Sequence, residues 1–351
     1  MKFVLRWMIA GLCVPSLMSS SADAQDLQQQ VVKLGREAAI EYVTPILSGW
    51  GNDLNSGIYY SGDLHDALGF DIGVRFAASR IKEADKTFTI GLPSQLIYSY
   101  KKNDKVYGLI YNANQFQGNV AGNPGKLSTS TAVGDKTGGV VTSTVDRTAV
   151  ASDGSTDIVP AGTPIFQMPG GFDVGSLGVS LPMPQFDLGL PFGLELMLRY
   201  VPTVSTGDAG KFNASGFGLR YSIDQLIPLC PVDISVHFMT QKLNFKSKDE
   251  NDIFSATGTA YGLEVSKKIF ILTLYTGFQL ESSVLTLADY QYAGNDPLLQ
   301  GTIINGFDVH GDNKSRFTFG GRLLLMAVNI HAEYSIANTP VIAIGAGITI
   351  R

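Results

Sequence analysis

The chain has 351 residues, only 16% of them charged, and a formal net charge of −5. Soluble domains carry about a quarter of their residues as charges, so this chain cannot cover a large water-facing surface in the ordinary way. The mild acidity lacks the basic footprint of nucleic-acid binding, and after residue 24 no run reaches the ~20 unbroken apolar residues of a membrane helix.

Residues 1–24 read as a secretory signal. Lys2 and Arg6 give a positive start, Trp7 to Leu17 an apolar stretch, and Ala22-Asp23-Ala24 the small residues of a cleavage site. A lipoprotein signal ending at Cys13 competes, but Leu12 stands where that signal needs a small residue. Cleavage leaves one cysteine, Cys230. It lies in the turn-like Pro228-Leu229-Cys230-Pro231, where a small hydrophobe without chemistry is expected.

Residues 25–57 form an N-terminal helical segment. Leu27, Val31, Leu34, Ala38, Val43 and Leu47 recur at helical spacing, which predicts a helix over 26–47. Pro45 is expected to end or kink it. Lys33, Arg36, Glu37 and Glu41 give it a charged face, so it belongs in the periplasm or inside a lumen, not in lipid. Residues 51–57 read as a polar turn.

From Leu68 the period changes to two. Apolar side chains alternate with Gly, Ser, Thr, Asn and a few charges in nine segments: 68–76, 194–200, 217–223, 234–239, 261–266, 272–281, 317–325, 328–336 and 342–351. Weaker candidates cover 87–100, 106–116, 172–182 and 285–292. Successive strand side chains point to opposite faces. A soluble sandwich would carry Lys, Glu and Asp on its second face. The small, weakly polar second face here suits a crowded lumen instead. The fold class is therefore all-β: a transmembrane antiparallel up-and-down β-barrel of about 12–14 strands, spanning 58–351. Residues 112–163, rich in Gly, Ser, Thr, Ala and Val, read as one long external loop with a hairpin near 140–145. Residues 293–314 read as a second.

The charges that fall on the second face are candidate lumen and plug contacts. They are Asp71, Arg75, Glu195, Arg199, Arg220, Glu264, Glu281, Arg322 and Glu333, joined by His237 and His331; Arg351 is also expected to point inward. Charges buried in a narrow lumen must pair. Balanced signs favour a salt-bridged lattice over a charged constriction that selects solutes. Neither these histidines nor His65 and His310 have metal-ligand spacing. His331 and Ser335 lack a nucleophile-elbow pattern, so neither catalysis nor a cofactor is expected.

Several runs carry a resemblance: Pro45, Gly49-Trp50, Leu54-Asn55-Ser56-Gly57 and Leu68-Gly69-Phe70-Asp71-Ile72-Gly73; Leu190-Pro191-Phe192-Gly193-Leu194-Glu195 through Pro202; Ser266-Lys267 and Tyr275-Thr276-Gly277. Together they resemble an uncharacterised family of bacterial outer-membrane β-barrel proteins. The resemblance implies the outer membrane of a Gram-negative-type bacterium, with outer-membrane lipid and the barrel-assembly machinery as partners. Many such barrels end in an aromatic residue, whereas this chain ends Thr349-Ile350-Arg351. A helix feeding a mid-sized barrel is more distantly similar to long-chain fatty acid transporters. The expected function is passive, porin-like transport of a small hydrophobic or amphipathic solute, with the N-terminal segment as plug. The alternative is a non-conducting structural or accessory barrel.

Overall fold

The structure, a computed structural model, describes residues 36–174, 181–205, 210–247, 250–291 and 303–351. The signal segment and the first ten residues of the expected helix lie outside them. One helix, α1 (Arg36–Leu54), precedes ten long strands: β1 (Phe70–Ser79), β2 (Leu181–Leu190), β3 (Leu194–Ser205), β4 (Lys211–Ser222), β5 (Asp233–Lys246), β6 (Asp252–Ile269), β7 (Leu272–Leu287), β8 (Ser315–Leu325), β9 (Val328–Ile336) and β10 (Val341–Ile350). Each strand pairs antiparallel with its sequence neighbour, and β1 pairs with β10, which closes the barrel.

Closure and the period-two pattern together decide which face is which. Along β1, Asp71, Arg75, Ala77 and Ser79 are buried, whereas Ile72 stands out. The register then lines up inward residues across strands: Glu195 opposite Arg220, Arg220 opposite His237, and Asp71 opposite Asp187. Leu198, Phe217, Leu263, Phe278, Phe319 and Ile344 are exposed on the outer wall. The barrel is thus apolar outside and polar within, the reverse of a soluble barrel.

The two ends of the barrel differ. At one end the connections are short, such as Pro191–Gly193, Phe270-Ile271 and Met326-Ala327, and the chain enters β1 and leaves β10 there. At the other end, residues 80–180 and 288–314 form long connections. Long loops mark the cell-surface end of bacterial barrels and short turns the periplasmic end.

Ten strands replace the twelve to fourteen expected, and the surplus has two sources. Residues 87–100 and 106–116 do form strands, but in small sheets of the long connection, not in the wall. Thr87–Gly91 pairs with Lys126–Ser130, and Gln95–Lys102, Lys105–Asn112, Arg147–Ala151 and Thr156–Val159 make a four-stranded sheet. The candidate at 285–292 begins on the outer end of β7. The long loop expected at 112–163 is accordingly structured. Val141, Leu127, Leu96 and Tyr111 are fully buried in its core, which is continuous with the helix through Tyr42 and Ile46.

Helix α1 also departs from expectation. It runs through Pro45 to Leu54, into the residues expected to form a turn. Proline removes a backbone donor and costs about 3 kcal/mol in a helix interior. Burial of Tyr42, Ile46, Leu47 and Leu54 around it outweighs that penalty.

Candidate functional site: the filled lumen

The helix C-terminus and the irregular segment behind it, residues 55–65, lie inside the barrel. A helix ends with carbonyls that have no intrahelical partner, and water usually satisfies them. Here the wall does. Arg316 donates to Asn52 O (2.8 Å), Arg199 to Leu54 O, Ser56 O and Gly57 O (2.8 Å each), and Gln279 to Asn55 O (2.9 Å). Gln241 donates to Leu54 O as well. Further down, Arg75 donates to Gly57 O and Ile58 O (3.1 and 2.9 Å), Gln185 to Ile58 O (3.0 Å), and Arg220 to Ser61 O. A buried backbone carbonyl must find a donor, and long Arg and Gln side chains reach from wall to axis.

The inward carboxylates hold these cations in turn. Glu195 accepts from Arg220 (2.8 Å) and from His65 Nδ1 (2.6 Å). Glu264 accepts from Arg220 (2.9 Å), Ser235 (2.8 Å) and His237 Nδ1 (2.7 Å). Asp187 takes Arg75 at 2.9 Å, with Asp71 at 3.9 Å from the same guanidinium. Glu281 takes Arg316 at 2.7 Å. Glu333 accepts from Gly57 N (3.0 Å) and the Tyr275 hydroxyl (3.1 Å). Tyr60 lies between two cations, 4.5 Å from Arg322 and 5.1 Å from Arg75, with the His331 ring 5.0 Å away.

All eleven lumen candidates are buried: Asp71, Arg75, Glu195, Arg199, Arg220, His237, Glu264, Glu281, Arg322, His331 and Glu333. Arg351 is not among the inward set. It sits at the rim and pairs with Asp63. Arg316, Asp187, Gln185, Gln241 and Gln279 also belong to the network, as does His65, whose Nε2 lies 2.7 Å from Thr349 Oγ1. The alternation in the sequence could have found Arg316, beside Phe317. Gln185 and Asp187 are hidden because Pro182 and Pro184 disguise β2 as a loop.

Two glycines make the fit possible. Gly57 turns the chain below the helix at φ +61°, a conformation that favours glycine. At Gly277 a Cβ would come within 2.2 Å of the Tyr59 hydroxyl, so only a bare backbone leaves room for that ring.

The outer end of the lumen is built differently. Trp50 stacks on Phe254 at 5.2 Å, and Leu243, Phe245, Leu285 and Val309 pack around the helix. A polar clasp closes the rim: Asp312, in the loop before β8, accepts from Asn52 (2.7 Å), Ser48 (3.2 Å) and Asn338 (2.8 Å). Asp53 accepts from Ser79 at 2.7 Å.

The model of a family of unknown function, DUF6588, matches residues 1–350. No curated protein matches the chain. Among solved structures, the β domain of the Bordetella autotransporter BrkA aligns at 10% identity over 80% of this chain and 100% of its own, with a TM-score of 0.32. A loop-deletion mutant of OmpT, an outer membrane protein of Vibrio cholerae, aligns at 13% identity over 81% and 100%, with a TM-score of 0.24. OccK5 of Pseudomonas aeruginosa aligns at 9% identity over 82% and 99%, with a TM-score of 0.20. None of these likenesses informs on activity, and a likeness to long-chain fatty acid transporters is not shown.

Proposed function

The chain belongs to DUF6588, a family of unknown function, and we propose that it is a non-conducting outer-membrane barrel that anchors a folded module at the cell surface. The outer wall carries a belt of Leu, Ile, Phe and Tyr far larger than a soluble monomer exposes. Lipid is the solvent that suits it. The module is the β-rich connection 80–174, which shares its core with α1 on the long-loop side.

One observation carries the reading. From Asp312 at one rim to His65 and Thr349 at the other, residues 48–65 are tied to the wall at Ser48, Asn52, Leu54, Ser56, Gly57, Ile58, Ser61 and His65. In this reading the segment is a permanent plug. Transport of a hydrophobic solute would require the whole column to leave, stripping Arg199 of its three carbonyl acceptors, Arg220 of Ser61 O and Glu195 of His65. Breaking buried charged networks is strongly unfavourable.

The test is conductance in planar bilayers, comparing the full protein with a form lacking residues 36–66. The full protein is expected to be silent and the deletion to conduct. A steady current through the full protein would overturn the anchor and restore transport.

A further inference from the structure

The turns at the short-loop end share an unusual feature. Left-handed backbone, with φ between about +50° and +75°, suits Gly, Asn and Asp and is an outlier for bulky residues. At the long-loop end the non-glycine residues in this conformation are Asn103, Asp104, Asp173 and Glu250, all polar. At the short-loop end they are Leu68, Phe192, Leu229, Phe270 and Met326, with φ between 55° and 72°. One sits at the entry to β1 and one in each of the four turns β2–β3, β4–β5, β6–β7 and β8–β9. Their exposures run from 82 to 100%. Five large apolar side chains thus occupy positions where backbone geometry and contact with water both disfavour them.

We propose that these five tips form a ring that enters the acyl–headgroup boundary of the inner phospholipid leaflet. Strained backbone persists where it serves a contact, and the arrangement points to lipid as that contact. The tips are spread around the whole circumference, not gathered on one side as a docked protein would require. They also continue the lipid-facing belt: Ile72, Leu274, Leu325, Val328 and Ile350 stand on the wall just beside them. A ring around the barrel axis at this end suits a membrane surface and would fix how deep the barrel sits.

This inference rests on the membrane placement proposed above, and its test separates the two. Single tryptophans are placed at Phe270→Trp (ring), Phe278→Trp (mid-belt) and Val145→Trp (surface module) in the full chain. They are read against the constant background of Trp7 and Trp50 in phospholipid vesicles brominated near the ester end of the acyl chains. Phe270→Trp is expected to lose most of its added emission to the brominated lipid and to resist iodide; Val145→Trp is expected to do the reverse. Quenching of Phe278→Trp with none at Phe270→Trp, and iodide access at the latter, would overturn the ring and leave the tips as a periplasmic protein-docking surface. Absence of lipid quenching at Phe278→Trp would overturn the membrane placement itself. A second readout uses Phe270→Asn with Met326→Asn, since asparagine is at ease in left-handed backbone. Refolding yield is expected to hold in detergent and to fall severalfold in bilayers; equal yields in both would overturn the ring.

Discussion

The outer and inner halves of the lumen are filled by the same stretch of chain in two different ways. In the outer half an α-helix meets aliphatic and aromatic wall residues, and its own backbone bonds are internal. In the inner half the chain is irregular, with carbonyls that arginines and glutamines of the wall satisfy. The difference follows from backbone chemistry. A helix needs only apolar burial to sit inside a barrel, whereas an irregular segment needs a donor for each buried carbonyl. Once guanidinium groups are recruited as donors, carboxylates must follow to balance them. The salt-bridge lattice is thus a consequence of the chain leaving its helix at Leu54.

The largest effect is expected where that lattice is cut. Arg220 holds Glu195 and Glu264 together and donates to Ser61 O. Arg220→Met takes the shared guanidinium from two buried carboxylates, at a cost of about 3–5 kcal/mol. This is read as a shift of the urea midpoint of the full protein in lipid vesicles. Adding Glu195→Gln and Glu264→Gln is expected to return most of the loss. A shift smaller than about 1 kcal/mol for the single variant would mean the inner half behaves like a wet surface, and the contrast between halves would fail.

In the outer half, Leu54→Ala removes a side chain with no exposure from the helix end. Large-to-small changes of this kind cost about 3 kcal/mol through lost burial and a residual cavity. The same unfolding measurement checks it. The loss should be insensitive to salt, and no second substitution of a charged residue should rescue it. A rescue by neutralising wall charges would show that the two halves are one electrostatic unit.

The inner half was also the more legible of the two in the sequence. Strict alternation placed Arg75, Arg199, Arg220, Glu264 and Glu333 on the lumen face, since one face of each strand had to meet lipid. The outer half was not legible for two reasons, and parts of the inner half were hidden as well. Pro45 reads as a helix end, and only the packing of Tyr42, Ile46 and Leu47 shows why the helix continues. The surface module alternates as a barrel strand does, because a small sheet packed on one face obeys the same period of two. That coincidence inflated the strand count. The prolines of β2 had the opposite effect and hid Gln185 and Asp187. The course of residues 55–66 has no periodic signature, because its hydrogen-bond partners come from nine different strands.

The smallest effect tests the polar clasp at the rim of the apolar half. Burial pushes the Asp312 carboxyl up, but hydrogen bonds from Thr339, Asn52 and Ser48 and the charge of Lys82 outweigh it, so the group titrates below its ordinary range. A depressed carboxylate contributes stability that is fully present above its unfolded pKa of about 3.9 and is lost as pH falls through the folded value. Asp312→Asn keeps the shape and removes the charge. At neutral pH it is expected to weaken the clasp by roughly 1 kcal/mol, seen as faster amide exchange in residues 48–53 relative to the native protein. As pH falls through the folded value, which lies below the unfolded one, the native clasp loses its charge too, and the ratio of exchange rates should approach one. A ratio that stays constant across that range would assign the rim contact to shape alone. The outer half would then be held without any electrostatic contribution, which would widen the contrast with the charged half below it.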